Sequence, residues 1–491
     1  MTLASTVDEI VTKELESIEI EKITAPKKIR DALTGTFVLH PWEINILDLP
    51  MVQRLRRIGQ TALAYLTYPS TTHNRFQHTL GVTNIVNKLA TTVKERPEYT
   101  SLIDENDIRE LRIGALLHDV GHLPFSHATE EIIDYLPEMQ MAKKLPKFDR
   151  VHSKPHEILS YYIVTSDSFK SVFDQINDVY HLNINSKRSA SMIIGNLEEY
   201  ERENFISDFL NGPFDADKLD YMPRDAYFSG LKMDVDLERI AQTCLITDKR
   251  ICTPRRLCCD ISGAHNLEQI LFNKVLLHTA MYHHHKVRAS VCMIKSIFEV
   301  IKDRKLSPEG LNFDDPASFL CVDDCDVLAS FRKEPLLKEL VNNIRNRNLL
   351  KRAAVISRKT VKTKNQLQNL NKQMEKPEDI QALRQLIVDE LKKKGFKCSL
   401  YDLWVDLPKP PSLNEPSLCW IRITEKDYVP LSEVFPADWW LTAYYETKWK
   451  GFVFCPPNNS LREAAYEATK RVLKRNYGIE LNIMAKKLAK I

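Results

Sequence analysis

The stretch GALLHDVGHLPFSH, from Gly114 to His127, constrains this chain more than any other. An apolar helical run ends in three histidines and one aspartate. Leu111, Ala115 and His118 recur at i, i+4 and i+7, so the stripe that packs the helix also carries His118 inward. Gly121 fits a helix stop, and Pro124 prevents simple continuation. His118 and Asp119 then fall in the last turn, where the helix dipole is negative and favours a cation. A neutral imidazole beside a carboxylate suits Zn, Mn or Fe.

Two ligands do not make a site. HNRFQHTLGVTNIVNKLA places His78 on a stripe with Val82, Ile85 and Leu89, with Arg75 three residues earlier on the same face. NGPFDADKLDYMPRDAYFSG puts Asp217 and Tyr221 at i, i+4, with Asp225 continuing the line and Lys218 beside it. A carboxylate, a lysine and a phenol on one side would serve a metal and a phosphate together. Taken singly, each has a bland reading as a core histidine, a helix cap or a salt-bridge partner. Taken together, they are buried charges whose desolvation a shared metal would offset.

As a whole, the 491-residue sequence reads as ordinary globular protein, 43% hydrophobic and 27% charged, long enough for two or three domains. A net charge of +3 is too small to argue for nucleic acid or membrane as a partner. No apolar run reaches about 18 residues, and the N-terminus has no apolar core of a signal peptide. Ten cysteines are scattered without a CxxC pair, and Cys321 with Cys325 is a weak zinc signal, so reduced thiols in a cytoplasmic protein (or nuclear, in a eukaryote) are expected. The chain divides into a polar segment over 1–34, a helical body over 35–310 and a mixed α/β lobe over 311–491. LYDLWVDLP, CWIRIT and GFVFCPP read as strands in that lobe, with the proline-rich loop PKPPSLNEPS between two of them. The basic segment 345–372 carries nine Lys or Arg and no acid. It reads as a solvated surface helix, an allosteric nucleotide contact or, least well for want of interleaved aromatics, a nucleic-acid site.

HNRFQH, HDVGHLPFSH, His156-Glu157 and DADKLDY, in that order, resemble the HD-domain phosphohydrolases. The likeness is strongest to the deoxynucleoside triphosphate (dNTP) triphosphohydrolase branch that includes the sterile-alpha-motif/HD-domain enzyme. It covers about residues 35 to 310. It implies a mainly α fold, with an all-helical HD core and a smaller mixed α/β C-terminal lobe. It implies that His78, His118, Asp119 and Asp217 hold one divalent transition metal (Mn, Fe or Zn), with Mg accompanying the substrate triphosphate. Arg75, Lys218 and Tyr221 would hold phosphate oxygens, while Gln60 and Asp225 match positions that contact the sugar. His122, His127 and His156 would line the reaction centre, with His127 preferred as general acid and Glu130 orienting it. In such enzymes water attacks the α-phosphorus of a dNTP, giving deoxynucleoside and triphosphate.

LDLPMVQRLRRIGQT resembles the segment that binds an activating guanine nucleotide, with Asp48, Gln53 and Arg56 at the matching positions. Alternatively, Arg54 to Arg57 form a solvated face packed at a subunit boundary. The resemblance also implies GTP or dNTP activators and a homodimer or homotetramer. Nucleotide-pool control and defence against phage or virus are both compatible with it. Three departures stand out. No sterile-alpha-motif domain is read, position 130 is Glu rather than Asp, and a phosphate-holding arginine expected before His285-Lys286 has no counterpart. The run His283 to His285 is a poor chelate and reads as pocket wall plus packing. The competing readings are an HD phosphohydrolase or phosphodiesterase acting on another nucleotide or on nucleic-acid ends, and a nucleotide-sensing scaffold with little turnover.

Overall fold

The helices that carry the motifs start where their caps dictate. In the computed structural model, which describes residues 2–200, 204–409 and 414–491, the helix Arg75–Lys94 opens with Asn74 accepting the Gln77 N–H at 3.0 Å. The helix Glu105–Leu117 opens in the same way, with Asp104 accepting the Asp107 N–H at 2.8 Å. Each has the reciprocal bond of a capping box. Leu111, Ala115 and Leu116 are fully buried, so the expected stripe packs the second helix and delivers His118 to its C-cap.

The turn that follows is pinned from two sides. Ser160, on the helix Pro155–Thr165, accepts the Gly121 N–H at 2.9 Å and donates to the His118 carbonyl at 2.7 Å. Arg54, only 3% exposed, donates to the carbonyls of Val120 at 3.0 Å and His122 at 2.7 Å. The expectation of a solvated face over Arg54 to Arg57 therefore fails at Arg54, which is a buried brace of the His-Asp turn. Arg57 is engaged as well, with Asp323.

The protein is mainly α, with small sheets. Nine strands lie among the described residues: β1 (Lys27–Asp31), β2 (Gly35–Leu39), β3 (Cys244–Ile246), β4 (Leu257–Asp260), β5 (Lys351–Ile356), β6 (Trp404–Asp406), β7 (Trp420–Arg422), β8 (Tyr428–Pro430) and β9 (Gly451–Cys455). β1 and β2 form an antiparallel hairpin. β5, β9 and β6 form an antiparallel sheet in that order. In the order β3-β4-β7-β8, the parallel β4–β7 pair matches Cys258 to Trp420, so the last third of the chain returns to the helical body. Strands β6, β7 and β9 fall in the three segments read as strands.

Three differences from the sequence reading have physical causes. The segment 1–34 is more than a polar extension, because the helix Leu3–Leu15 buries Leu3, Val7, Val11 and Leu15 in the main core. Those four apolar residues keep i, i+4 spacing, but the polar residues between them mask it. Position 310 does not separate two cores either. The helices Asp324–Lys333 and Lys338–Arg345 bury Val327, Phe331, Val341 and Ile344 in the main core, and the second core begins at Ala353. The basic segment is not one surface helix: its centre is β5, with Ala353 to Ile356 buried, and only its end forms the helix Lys364–Gln373. Four apolar residues in the middle of a charge run decide that. Residues 410–413 of the proline-rich loop lie outside the described residues.

No helix among the described residues is long and apolar enough to cross a membrane. All ten cysteines are free thiols, and among the described residues no metal-ligand set forms at Cys321 and Cys325.

Gly121 lets the His-Asp turn and the Pro155–Thr165 helix meet. A Cβ there would lie 2.4 Å from the Ser160 nitrogen and 2.5 Å from the His156 carbonyl oxygen. These are backbone atoms that cannot swing aside. Gly121→Ala is expected to destabilise the protein by about 1–3 kcal/mol, measured by denaturant unfolding; unchanged stability would mean that the helix moves freely.

Candidate metal centre

Two hydrogen bonds aim two imidazoles at one point. The His118 Nδ1–H donates to the Ala115 carbonyl at 2.8 Å, which leaves Nε2 with its lone pair. The His78 Nδ1–H donates to Asp220 at 2.7 Å, which likewise turns Nε2 inward, where a metal would take the place of a proton. The two Nε2 atoms lie 3.3 Å apart. Asp217 Oδ1 is 3.0 Å from His78 Nε2, Asp119 Oδ2 is 3.8 Å from it, and Asp119 Oδ1 is 3.5 Å from His118 Nε2. Ligand atoms each about 2.0–2.2 Å from one ion sit about 3.0–3.4 Å apart, so the donor set fits a divalent metal. Charge agrees with geometry. Burial would lower the pKa of His78, but Asp217, Asp220 and Asp119 outweigh it and push the imidazole up to about 10. The cluster is thus rich in negative charge, which a cation offsets.

Asp119 leads into a second set of groups. Its Oδ2 accepts Arg75 Nη1 at 2.9 Å, and Arg75 Nε donates to Ser126 at 3.0 Å. Burial would raise the Asp119 carboxyl, yet the Arg75 guanidinium, with His118 and His122 nearby, holds it well below the usual carboxylate range. His122 Nε2 is 3.3 Å from Asp119 Oδ1, and its ring stacks on His156 with centroids 4.0 Å apart. Asp119, His122 and His156 together form a second cluster, all buried, that could hold an ion.

Glu130 serves two histidines rather than one. It accepts from His156 Nδ1 and from His127 Nδ1, both at 2.6 Å. The His127 side chain is 64% exposed, whereas that of His156 is 9% exposed. Burial lowers the His156 pKa, but the Glu130 carboxylate more than reverses this and raises it. Burial depresses His122 well below 6.5, with Arg75 and His156 adding to the effect. One buried imidazole is thus biased toward the protonated form and its stacked neighbour toward the neutral form.

A cleft of about 2380 Å³ opens from these groups and is lined by Gln60, Arg75, Lys218, Tyr221, Asp225 and Lys274, among others. Lys218 is already engaged, donating to Asp215 at 2.5 Å and to the Gly212 carbonyl at 2.9 Å. Gln60 Oε1 is buried without a partner among the described residues. Asp225 is clamped by His73 Nε2 at 2.7 Å and by the Tyr282 hydroxyl. His73, Tyr282, Asp220, Lys274 and Glu415 were not found by sequence reasoning. Lys274 pairs with Glu415 deep in the cleft, four residues before His278, and supplies a cation in the stretch where the sequence offered no arginine. Asp220 lies inside the DADKLDY motif and could have been read there. Tyr282 ends a π-helical turn, His278–Tyr282, that breaks ordinary helical spacing. His283 lines the cleft, and His285 faces Phe452.

Gln53 and Arg56 are brought together, Asp48 faces Lys27 instead, and none of the three lines the cleft. Gln53 donates to the Leu47 carbonyl at 2.8 Å, and Arg56 donates to Gln53 at 2.7 Å. The Arg56 guanidinium lies 3.6 Å above the Phe76 ring, and Asp48 is 3.9 Å from Lys27.

One helix ends in an adjacent His and Asp, beside an inward-facing histidine from another helix, and the comparisons agree with a candidate metal centre there. The HD domain family matches residues 75–222, and the HD associated region matches residues 235–476, so the chain belongs to the HD-domain family. It is 31% identical over 320 residues to an uncharacterized protein of Methanocaldococcus jannaschii, covering 64% of this chain and 59% of that one. It is 29% identical over 335 residues to the deoxynucleoside triphosphate triphosphohydrolase SAMHD1 homolog of Dictyostelium discoideum, covering 66% and 59%. To the deoxynucleoside triphosphate triphosphohydrolase SAMHD1 of Homo sapiens it is 28% identical over 277 residues, covering 52% and 42%. The match therefore spans about half the length of these curated relatives.

Glu130→Gln removes the charge that opposes burial at His156. The His156 pKa should then fall below its ordinary 6.5, followed by NMR titration of labelled imidazoles. A pKa unchanged from the native protein would mean that Glu130 does not set it.

Proposed function

We propose that the protein is a metal-dependent phosphohydrolase that cleaves dNTPs to deoxynucleoside and triphosphate. The observation that carries this reading is the convergence of His78, His118 and Asp119, with Asp217 3.0 Å from His78, beside a cleft lined by Arg75, Lys218 and Lys274. The bound metal would act as a Lewis acid on phosphoryl oxygen and activate water. The chain's own residues do the rest. Arg75 is held by Asp119 and Ser126 where its guanidinium can offset phosphate charge. Lys218 and Lys274 exchange Asp215 and Glu415 for phosphate oxygens as the triphosphate enters, so each of these two lysines has a carboxylate partner beforehand. Tyr221 presents its hydroxyl to the same wall. Asp225 and Gln60 face the sugar, the latter with a buried oxygen that still lacks a donor. His156, kept protonated by Glu130, supplies the proton to the leaving oxygen, with the exposed His127 relaying from solvent.

Mn, Fe or Zn suits the mixed imidazole–carboxylate set, with Mg accompanying the triphosphate. Activation by GTP or a dNTP at Asp48, Gln53 and Arg56, and assembly as a homodimer or homotetramer, belong to the same reading. So does a cytoplasmic role in nucleotide-pool control or antiviral defence. Support comes from the relatives named for dNTP triphosphohydrolysis. One observation favours a second reading. Asp119, His122 and His156 form another possible ligand set next to the first, as a two-metal phosphodiesterase requires.

Product analysis separates the two. The protein, incubated with each dNTP and Mn or Mg, with and without GTP, should release deoxynucleoside and triphosphate, and His118→Ala should abolish this. Monophosphate and pyrophosphate, or cleavage only of phosphodiesters, would contradict the proposal.

A further inference from the structure

Four buried side chains form an unbroken line from the N-terminal hairpin to His78. His78 Nδ1 donates to Asp220 Oδ2 at 2.7 Å. Arg224 grips the same carboxylate with both arms of its fork, Nε to Oδ2 at 2.7 Å and Nη2 to Oδ1 at 2.8 Å. The third guanidinium nitrogen, Nη1, reaches Asp31 Oδ1 at 2.9 Å. The side chains of His78, Asp220, Arg224 and Asp31 are 0, 0, 1 and 6% exposed. Asp31 and Arg224 are 193 residues apart, and neither touches the cleft.

Asp31 ends β1, and the hairpin turn sets its orientation. Its second oxygen accepts the N–H groups of Leu33 at 2.9 Å and Thr34 at 2.8 Å, and the Thr34 hydroxyl at 3.1 Å. The turn is tied down in its own right, by Asn84 donating to the Thr34 carbonyl at 3.1 Å. Room for the line is made at Gly81. A Cβ there would lie 1.9 Å from Asp220 Oδ1 and 2.3 Å from Arg224 Nη2.

One guanidinium thus serves two carboxylates. With the turn in place, Arg224 is held at three nitrogens and cannot rotate, so Asp220 has one orientation and the His78 ring has one tilt. With the turn displaced, Nη1 loses its acceptor in a dry interior, and the fork is free to swing and take Asp220 with it. We infer that Asp31 and Arg224 are positioning residues, coupling the folded state of the β1–β2 hairpin to the orientation of His78 and hence to metal affinity. This rests on the reading of His78 as a metal ligand. The coupling is reciprocal: whatever affinity the ordered hairpin adds to the metal, the metal adds to the order of the hairpin. A purely structural anchor would stabilise the fold without changing metal affinity.

The test uses the full chain and Mn(II) alone. Free Mn(II) is followed by electron paramagnetic resonance as it is titrated into metal-free native protein and into Asp31→Asn, and backbone hydrogen exchange is read over residues 27–39. Loss of an outer-shell partner weakens metal binding by about 10–100-fold, and about tenfold is expected for this more distant group. Mn(II) should also slow exchange of the hairpin amides in the native protein but not in the variant. Unchanged affinity in a folded Asp31→Asn, or hairpin exchange indifferent to Mn(II), would overturn the inference while leaving His78 as a ligand. No Mn(II) binding by the native protein would remove the ligand reading, and this inference with it. Should Asp31→Asn not fold, Asn84→Ala releases the turn without altering a charge: weaker Mn(II) binding supports the coupling, and unchanged binding overturns it.

Discussion

Everything in the candidate site depends on how the two inward-facing histidines, His78 and His118, are oriented. The Ala115 carbonyl fixes this for His118, and the Asp220 carboxylate fixes it for His78. Each bond places the hydrogen on Nδ1 and turns Nε2 toward Asp119 and Asp217. A carbonyl one turn back on the same helix is a cheap anchor, because the helix ends there and its last carbonyls lack partners. The anchor of His78 is different. Asp220 comes from the crossing helix Ala216–Ser229, so the two helices must pack at a fixed separation for the ring to be set. Gly81 permits that separation.

The same economy of charge runs through the cleft. Arg75 sits on Asp119, Lys218 on Asp215, Lys274 on Glu415 and Arg224 on Asp220. Each cation is buried or nearly so and would be unfavourable without its carboxylate. Three of these cations, Arg75, Lys218 and Lys274, line the cleft. Arg224 lies outside it and holds the scaffold. Glu415 belongs to the last third of the chain, as do the strands β7 and β8 that join the sheet of β3 and β4. The C-terminal part therefore completes the wall of a cleft whose chemistry lies in the helical body. Arg288 strengthens this joint by donating to Asp406 at 2.9 and 2.7 Å.

The helical body and its inward-facing histidines were legible because long amphipathic helices repeat. His118 follows Leu111 and Ala115 on one stripe, and His78 shares another with Val82 and Ile85, so burial could be read from spacing alone. What was hidden lies where spacing carries no information. His73 sits in an irregular stretch just before the helix cap Asn74. Tyr282 ends a π-helical turn that rotates it off the expected face. Glu415 meets Lys274 across 141 residues of chain. Relative exposure was also out of reach: His127 and His156 look alike as motif histidines, yet one faces solvent and the other is buried against Glu130. Charge misled twice, in the segment 345–372, where a short apolar run made a strand, and at Arg54, where a residue in an Arg-rich turn became a buried brace.

The most direct test of the central claim is X-ray absorption spectroscopy of the Mn-loaded native protein. The geometry predicts outer-shell scattering from two imidazoles, those of His78 and His118, together with carboxylate oxygens. An all-oxygen shell with no imidazole signal would contradict the account.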